Sequence, residues 1–252
     1  TGSRLTGIKA VYTNDSAPQT DYSNQVWDSN VGFWKAIQNT WQAWGWKRHA
    51  GFDVVTYDGQ GGTSYISHNL GKTPEMIWVK RRNATESWLV YHKGFNSGTN
   101  PENYWMNLNQ GTANTYGFVW GQTAPTSTVF TVSDGAWVNG SGSQYIAMLF
   151  ASVEGVSKLG YYDGQNTSQT ITTGFQPRFI IIKRIDGSNP WYTADTLRGW
   201  TSSSADLMQL NQNAAEMANP TFCVPTSTGF TLSPAESGWN ENNYEYIYYA
   251  HA

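Results

Sequence analysis

The sequence predicts an all-β protein made of two tandem antiparallel β-sandwich units. Two observations carry that expectation. Short apolar stretches rich in β-branched and aromatic residues recur about every 8–15 positions between clusters of Gly, Asn, Ser and Pro, the rhythm of a sandwich or barrel. The chain also repeats itself: the run Thr126 to Ser133 (TSTVFTVS) returns as Thr226 to Ser233 (TSTGFTLS), 100 residues on. Pro74 to Arg81 (PEMIWVKR) returns as Pro177 to Arg184 (PRFIIIKR) at an offset of 103, Tyr57-Asp58-Gly59-Gln60 at 105 and Leu108-Asn109-Gln110 at 102. So small a drift over so many landmarks reads as a duplicated unit with short loop insertions. Duplicated positions are then scaffold, and function is expected where the copies differ.

In the first unit, placed at residues 51–152, strands are expected near 52–57, 63–68, 75–81, 86–92, 103–108, 117–120, 128–132 and 144–151. In the second, 153–252, they fall near 156–162, 168–173, 178–184, 190–195, 207–210, 221–224, 229–233 and 243–250. Asp58-Gly59 and Asp163-Gly164 each stand between two strand-like runs and read as tight hairpin turns with φ > 0. The continuously apolar runs 76–79 and 179–182 suit central strands covered on both faces. Residues 145–151 alternate Ile146, Met148, Phe150 against Tyr145, Ala147, Leu149, with neither set polar, so this strand is also expected to be buried twice, between units. Leu207, Leu210 and Ala214 follow the 3, 4 spacing of a helix, but the matching stretch of the first unit contains Gly111, so no more than one helical turn is expected there.

Residues 1–50 form a separate N-terminal segment. Trp41 to Trp46 leads into Gly51-Phe52 as Tyr145 to Phe150 leads into Gly155-Val156, at an offset of 104. Residues 41–50 thus read as the last strand of a preceding unit, filling in the first sandwich the place that 145–151 takes in the second. The rival is an amphipathic helix through Trp34, Ile37, Trp41 and Trp44 after a cap at Asp28 or Ser29. The opening Thr1-Gly2-Ser3-Arg4 lacks the apolar stretch of a signal peptide, and a fragment or processed chain is expected.

Only 13% of residues are charged, the net charge is −3 and the basic residues are scattered, so the electrostatic footprint of a nucleic-acid binder is missing. No apolar run approaches the length of a membrane span. One cysteine, Cys223, permits no intrachain disulfide. The motifs of zinc sites, nucleophile elbows and phosphate loops are missing around His49, His68, His92 and His251, and no cofactor or metal is expected. A glycosidase needs a pair of carboxylates. Asp53, Asp58, Glu75, Asp134, Glu154, Asp163 and Asp195 are candidates, Asp58 and Asp163 being more simply turn residues. Asp195, near the place of His92 in the first unit, is not duplicated. Glu236 with Asn240 to Asn243 could offer oxygens to calcium, but a solvated loop is the simpler reading.

Aromatics remain, at 15% of the chain with 13 Trp. Trp78 reads as core, and Trp88 and Trp191, present in both units, as scaffold. Trp105, Trp120, Trp137, Trp200 and Trp239 stand in loop-like stretches without a Trp in the other copy. Trp137 with Asn139, and Trp239 with Asn240, follow the same strand of their units. Rings flanked by Asn, Ser and Gly suit sugar recognition, in which the ring face stacks on C–H patches and short polar groups meet hydroxyls. Trp105, Trp137, Asn139, Trp200, Trp239 and Asn240 are therefore the candidate ligand-binding residues, against the plainer reading of rings that cap their own sandwich.

Several segments resemble a repeat-domain family of structural proteins in marine tailed phages, of tail-fibre or tail-spike type: Trp44 to Tyr57 (WGWKRHAGFDVVTY), His68 to Arg81 (HNLGKTPEMIWVKR), Trp88 with Tyr91-His92, Ala124 to Phe130 and Tyr246 to Ala250. The likeness runs from position 41 to the end. It implies a virion protein of concanavalin-like or jelly-roll-like sandwiches, other virion proteins as partners, a homotrimer, and attachment to a host-surface glycan or receptor without catalysis. It supplies no catalytic residues. A purely structural virion repeat and, with less weight, a polysaccharide-degrading spike are the alternatives.

Overall fold

The computed structural model describes residues 3–22, 25–29, 32–35, 43–133, 135–218, 222–234 and 238–252. The N-terminal segment holds two short antiparallel pairs, β1 (Lys9–Ala10) with β2 (Thr20–Asp21) and β3 (Gln25–Ser29) with β4 (Gly32–Lys35). Then follow β5 (Phe52–Asp58), β6 (Ser64–Ser67), β7 (Met76–Arg81), β8 (Leu89–His92), β9 (Tyr104–Asn107), β10 (Thr115–Tyr116), β11 (Val129–Val132) and β12 (Gln144–Phe150). The second half runs β13 (Ser157–Asp163), β14 (Gln169–Thr172), β15 (Phe179–Arg184), β16 (Tyr192–Asp195), β17 (Asp206–Gln209), β18 (Met217–Ala218), β19 (Cys223–Thr226), β20 (Gly229–Leu232) and β21 (Glu245–His251). Helical structure among the described residues is limited to 3-10 turns. The protein is all-β and antiparallel.

Two six-stranded sheets dominate, ordered β10-β9-β8-β7-β12-β5 and β18-β17-β16-β15-β21-β13. The segments that recur in the sequence thus occupy corresponding places in sheets of the same order. A two-stranded sheet, β11-β6, covers the outer face of the first, and a three-stranded sheet, β14-β20-β19, the outer face of the second. The inner faces of the two large sheets meet. Met76 and Trp78 of β7, Ile146, Met148 and Phe150 of β12, Phe179 and Ile181 of β15, and Ile247 and Tyr249 of β21 share one core. The intervening residues turn outward: Ile77, Val79, Tyr145, Ala147 and Leu149 pack under β11 and β6, and Ile180, Ile182, Tyr246 and Tyr248 under the three-stranded sheet. Period-two alternation with no polar set is what sheets covered on both faces require.

The structure corrects three expectations. Residues 43–47 form no strand, and β12 sits in its own sheet between β5 and β7, so no sandwich borrows its last strand from the segment before. Trp44 and Trp46 instead insert as a clip at the end of the shared core. Trp46 lies 6.0 Å from Phe52 and 5.8 Å from Phe179 between ring centroids, and its indole N–H donates to Tyr249 Oη at 3.0 Å. The helical rival fails at Trp34, which falls in β4, while Ile37 and Trp41 lie outside the described residues. Asp58-Gly59 and Asp163-Gly164 are not hairpin turns, because β5 and β13 lie in the large sheets and β6 and β14 in the small ones. Their glycines serve close approach: a Cβ on Gly59 would overlap Gly140 O, and one on Gly164 would overlap Glu241 O. Residues 117–120 form a turn after β10 rather than a strand.

His92, at the end of β8, is fully buried. Burial, together with the Lys93 ammonium, lowers its pKa from 6.5 to about 3. Its Nδ1 accepts the Gly94 N–H at 3.0 Å. Because the folded-state value lies below the unfolded one, this contribution to stability is complete above pH 6.5 and lost as pH falls toward 3. Urea unfolding between about pH 6 and 4 is expected to fall up to ~1.4 kcal/mol per pH unit more steeply in the wild type than in His92→Gln. Equal slopes would show that His92 does not titrate with folding.

Candidate functional site

The free edge of the first large sheet is built from the β9–β10 hairpin, where Tyr104 pairs with Tyr116 and Trp105 with Thr115. Alternation sends Met106 into the inter-sheet core and leaves Trp105 on the outer face, against the smaller core of that unit. There the loop between β11 and β12 brings Trp137 over it, with ring centroids 5.8 Å apart. Around the other side of the hairpin, Tyr104 and Tyr116 meet edge to face at 5.6 Å, and Tyr116 and Phe118 at 6.2 Å. Gln122 Nε2 donates to Tyr116 Oη at 3.1 Å. Tyr116 is 57% exposed, Phe118 62% and Trp137 49%. The edge hairpin therefore carries partly solvated rings on both its sides, Trp105 with Trp137 on one and Tyr104, Tyr116 and Phe118 on the other. Gly117 lets the hairpin run close under the indole, since a Cβ there would stand 3.0 Å from Trp105 Nε1.

Among the described residues the second large sheet has no such edge. Leu207, buried, takes the place of Trp105, and Ala218 that of Tyr116. Gly238 takes the place of Trp137, passing so close to Tyr192 that a Cβ would lie 2.8 Å from its ring.

Of the six residues read as ligand-binding, the structure brings Trp105 and Trp137 together at this edge and places the other four inside the protein. Trp200 is buried and donates from Nε1 to Cys223 O at 2.6 Å. Trp239 is buried between Tyr192 and Phe222, at 5.5 and 5.0 Å. The loops of Trp137 and Trp239 do correspond, but the tryptophans are one residue out of step. Tyr57 Oη donates to Val138 O at 2.7 Å, and its counterpart Tyr162 to Trp239 O at 2.7 Å. Trp239 thus fills the inward position of Val138, while Trp137, one residue earlier, faces solvent. Asn139 and Asn240 are matched clamps with no exposure. Asn139 Oδ1 accepts the Gln60 N–H and Asn240 Oδ1 the Gln165 N–H, both at 3.0 Å, and their Nδ2 groups donate to loop carbonyls. A side chain so engaged has no groups left for a ligand. Trp120 is likewise buried, donating to Tyr104 O at 2.9 Å.

Asp195 is also structural. It is 5% exposed and accepts Trp44 Nε1–H at 3.0 Å and the Arg198 N–H at 3.1 Å, tying the clip to the second sheet. Among the described residues no group of three or more His, Cys, Asp or Glu is placed to hold a metal ion. Asp134 and Glu236 lie outside the described residues. Tyr116 and Phe118 were not legible as site residues: Phe118 falls in the expected strand 117–120, and Tyr116 in the stretch just before it. Their distinguishing signal is the lack of large rings at the corresponding positions of the second unit.

The chain is thus an antiparallel all-β protein of two large and two smaller cover sheets, with an aromatic edge on its first unit. The chain belongs to the family described as the domain of unknown function DUF7483, whose model matches residues 37–252. No curated protein matches it, and no solved structure does.

The burial difference separates two otherwise similar residues. Trp137→Ala is expected to leave stability within about 0.5 kcal/mol, as for surface sites generally, whereas Trp239→Ala is expected to cost about 3–5 kcal/mol by opening a cavity. Denaturant midpoints at constant m-value measure both, and equal losses would contradict the register difference.

Proposed function

We propose that this chain is an attachment module of a phage virion, of tail-fibre type, that recognises a host-surface glycan through the aromatic edge of its first unit and breaks no bond. The observation that carries the reading is the Trp105–Trp137 pair, with Tyr116 and Phe118 on the same hairpin, in one unit and not in the other. Clustered, solvated rings expose apolar area that a soluble protein ordinarily covers with a partner. Their faces suit the C–H patches of sugar rings, and the low charge favours a neutral or weakly charged glycan over nucleic acid. Each stack contributes on the order of 1 kcal/mol, so adhesion at a cell surface calls for several copies. A trimeric fibre would supply them. The phage assignment itself rests on the sequence resemblance.

One observation favours the second reading, a purely structural virion repeat: Trp200, Trp239, Asn139 and Asn240 are all scaffold. Adsorption of the purified chain to host cells and to a glycan array decides between the two. Trp105→Ala with Trp137→Ala is expected to reduce retention about tenfold or more while far-UV spectra stay unchanged. Binding unaffected by that pair, or none by the wild type, favours the structural repeat.

A further inference from the structure

The contacts between the two large sheets are not reciprocal. Trp191 Nε1 of the second unit donates to Asn107 O of the first at 3.0 Å, but Trp88 Nε1, its counterpart, donates to Tyr12 O of the N-terminal segment at 2.6 Å. Lys183 Nζ reaches Gly111 O at 3.4 Å, and Lys80 Nζ reaches Ser16 O at 3.2 Å. The Asn114 N–H donates to Ile185 O at 2.7 Å, and the Gln19 N–H to Arg82 O at 2.8 Å. In all three bonds the capping residue shifts by 95 positions and the capped residue by 103. The hairpins that deliver the caps match as well: Lys9 pairs with Asp21 in β1–β2 as Tyr104 pairs with Tyr116 in β9–β10. The 3-10 turn Arg4–Thr6 lies against β5 as the turn Phe95–Gly98 lies against β13. Residues 4–19 therefore cap the first half of unit 1 in the way that residues 95–114 of unit 1 cap the first half of unit 2.

A third cap exists, and among the described residues no first half of a unit lies under it. Asp206 pairs with Ala218 in β17–β18, the same register 102 residues further on. Asn213 and Glu216, which correspond to Gly111 and Asn114, are exposed. Leu197, in the place of Gly94, is 75% exposed. In unit 1 that spot is closed by Tyr161 of β13, which approaches Gly94 so closely that a Cβ would lie 2.5 Å away. Beside Leu197 opens a cleft of about 230 Å³ lined by Trp44, Trp46, Phe179, Asp195 and His251.

Corresponding faces of both large sheets, with Val11 of the N-terminal segment, converge on one core. A one-way contact is heterologous and closes into a ring when its rotation permits, and here successive members turn the same face to one core. We infer that the exposed β17–β18 loop and the Leu197 cleft together form a docking surface for the first half of a third unit, a segment with the pattern of residues 51–98, which would complete a three-membered ring with the N-terminal segment. One occupant satisfies both vacant contacts, since the established interface places the same two contacts on one first half. A second copy of this chain is not that occupant, because both of its own first halves are already capped.

The test uses the full chain bearing Leu197→Cys, Cys223 being buried. A dye-marked polypeptide of residues 51–98 is co-refolded with it, and in a second arrangement the same segment is joined by a flexible linker ahead of Thr1, in case the free segment does not fold. Expected are one segment retained per chain on gel filtration and a drop of about tenfold or more in maleimide labelling of the introduced thiol, with retention weakened about tenfold by Leu197→Arg. An unchanged labelling rate in both arrangements, or retention indifferent to Leu197→Arg, overturns the inference.

Discussion

Everything in this molecule depends on the burial of two large sheets against each other. A sheet covered on one face can alternate apolar with polar, but a sheet covered on both cannot. Hence β7, β12, β15 and β21 carry almost no polar side chain between their ends, and the exceptions are engaged by backbone groups. Lys80 and Lys183 close the inner faces of β7 and β15, fully buried, and each donates to carbonyl oxygens, Lys80 to Arg81 O at 2.7 Å and Lys183 to Gly187 O at 3.1 Å. Burial depresses both, Lys183 to about 7, while the surrounding carbonyls favour the ammonium. The two tendencies meet at the rim of the core, where the apolar stems stay dry and the heads find oxygen.

The outer sheets follow from the same constraint. Once the large sheets face each other, their other sides also need covers, and the strands β6, β11, β14 and β20 supply them. Matched tyrosines fix how each cover is hung. Tyr57 stacks on Tyr145 at 5.1 Å and Tyr162 on Tyr246 at 5.2 Å, and Tyr57 and Tyr162 each hold a loop carbonyl from the cover's return connection. Asn139 and Asn240 pin the same connection from the far side. These are the residues that a reader of loops takes for ligand chemistry, because Asn next to Trp looks the same whether it faces water or closes a turn.

Much of the fold was legible in the sequence for a simple reason. Strand type and double burial are written in local alternation, as in Tyr145 to Phe150, and corresponding strands are written in the offsets. Sheet membership is not local. Asp58-Gly59 announces a turn in either case, and only the crossing of Gly140 over Gly59 tells that the chain is changing sheets. The site was half legible. Trp105 and Trp137 differ between the units and meet in space, yet the inward or outward sense of Trp137 and Trp239 hinges on a one-residue shift within a loop, which composition does not record. Phe118 passed as a strand residue because 117–120 reads as a short strand, whereas the chain turns there directly after Tyr116 at the end of the edge strand β10.

The clip at Trp44 and Trp46 has a mechanical meaning. Both indoles grip the second unit, through Asp195 and Tyr249, although the chain must traverse the whole first unit to get there. Tension that reaches residue 44 from upstream and is resisted at the C-terminal strand β21 passes directly through those two bonds and their ring contacts. The intervening β5 to β12 lie in parallel with that path, joined to it by the contacts of Trp46 with Phe52 and Phe150 and by the common core. The unit with the aromatic edge therefore carries part of a pull along the chain rather than all of it.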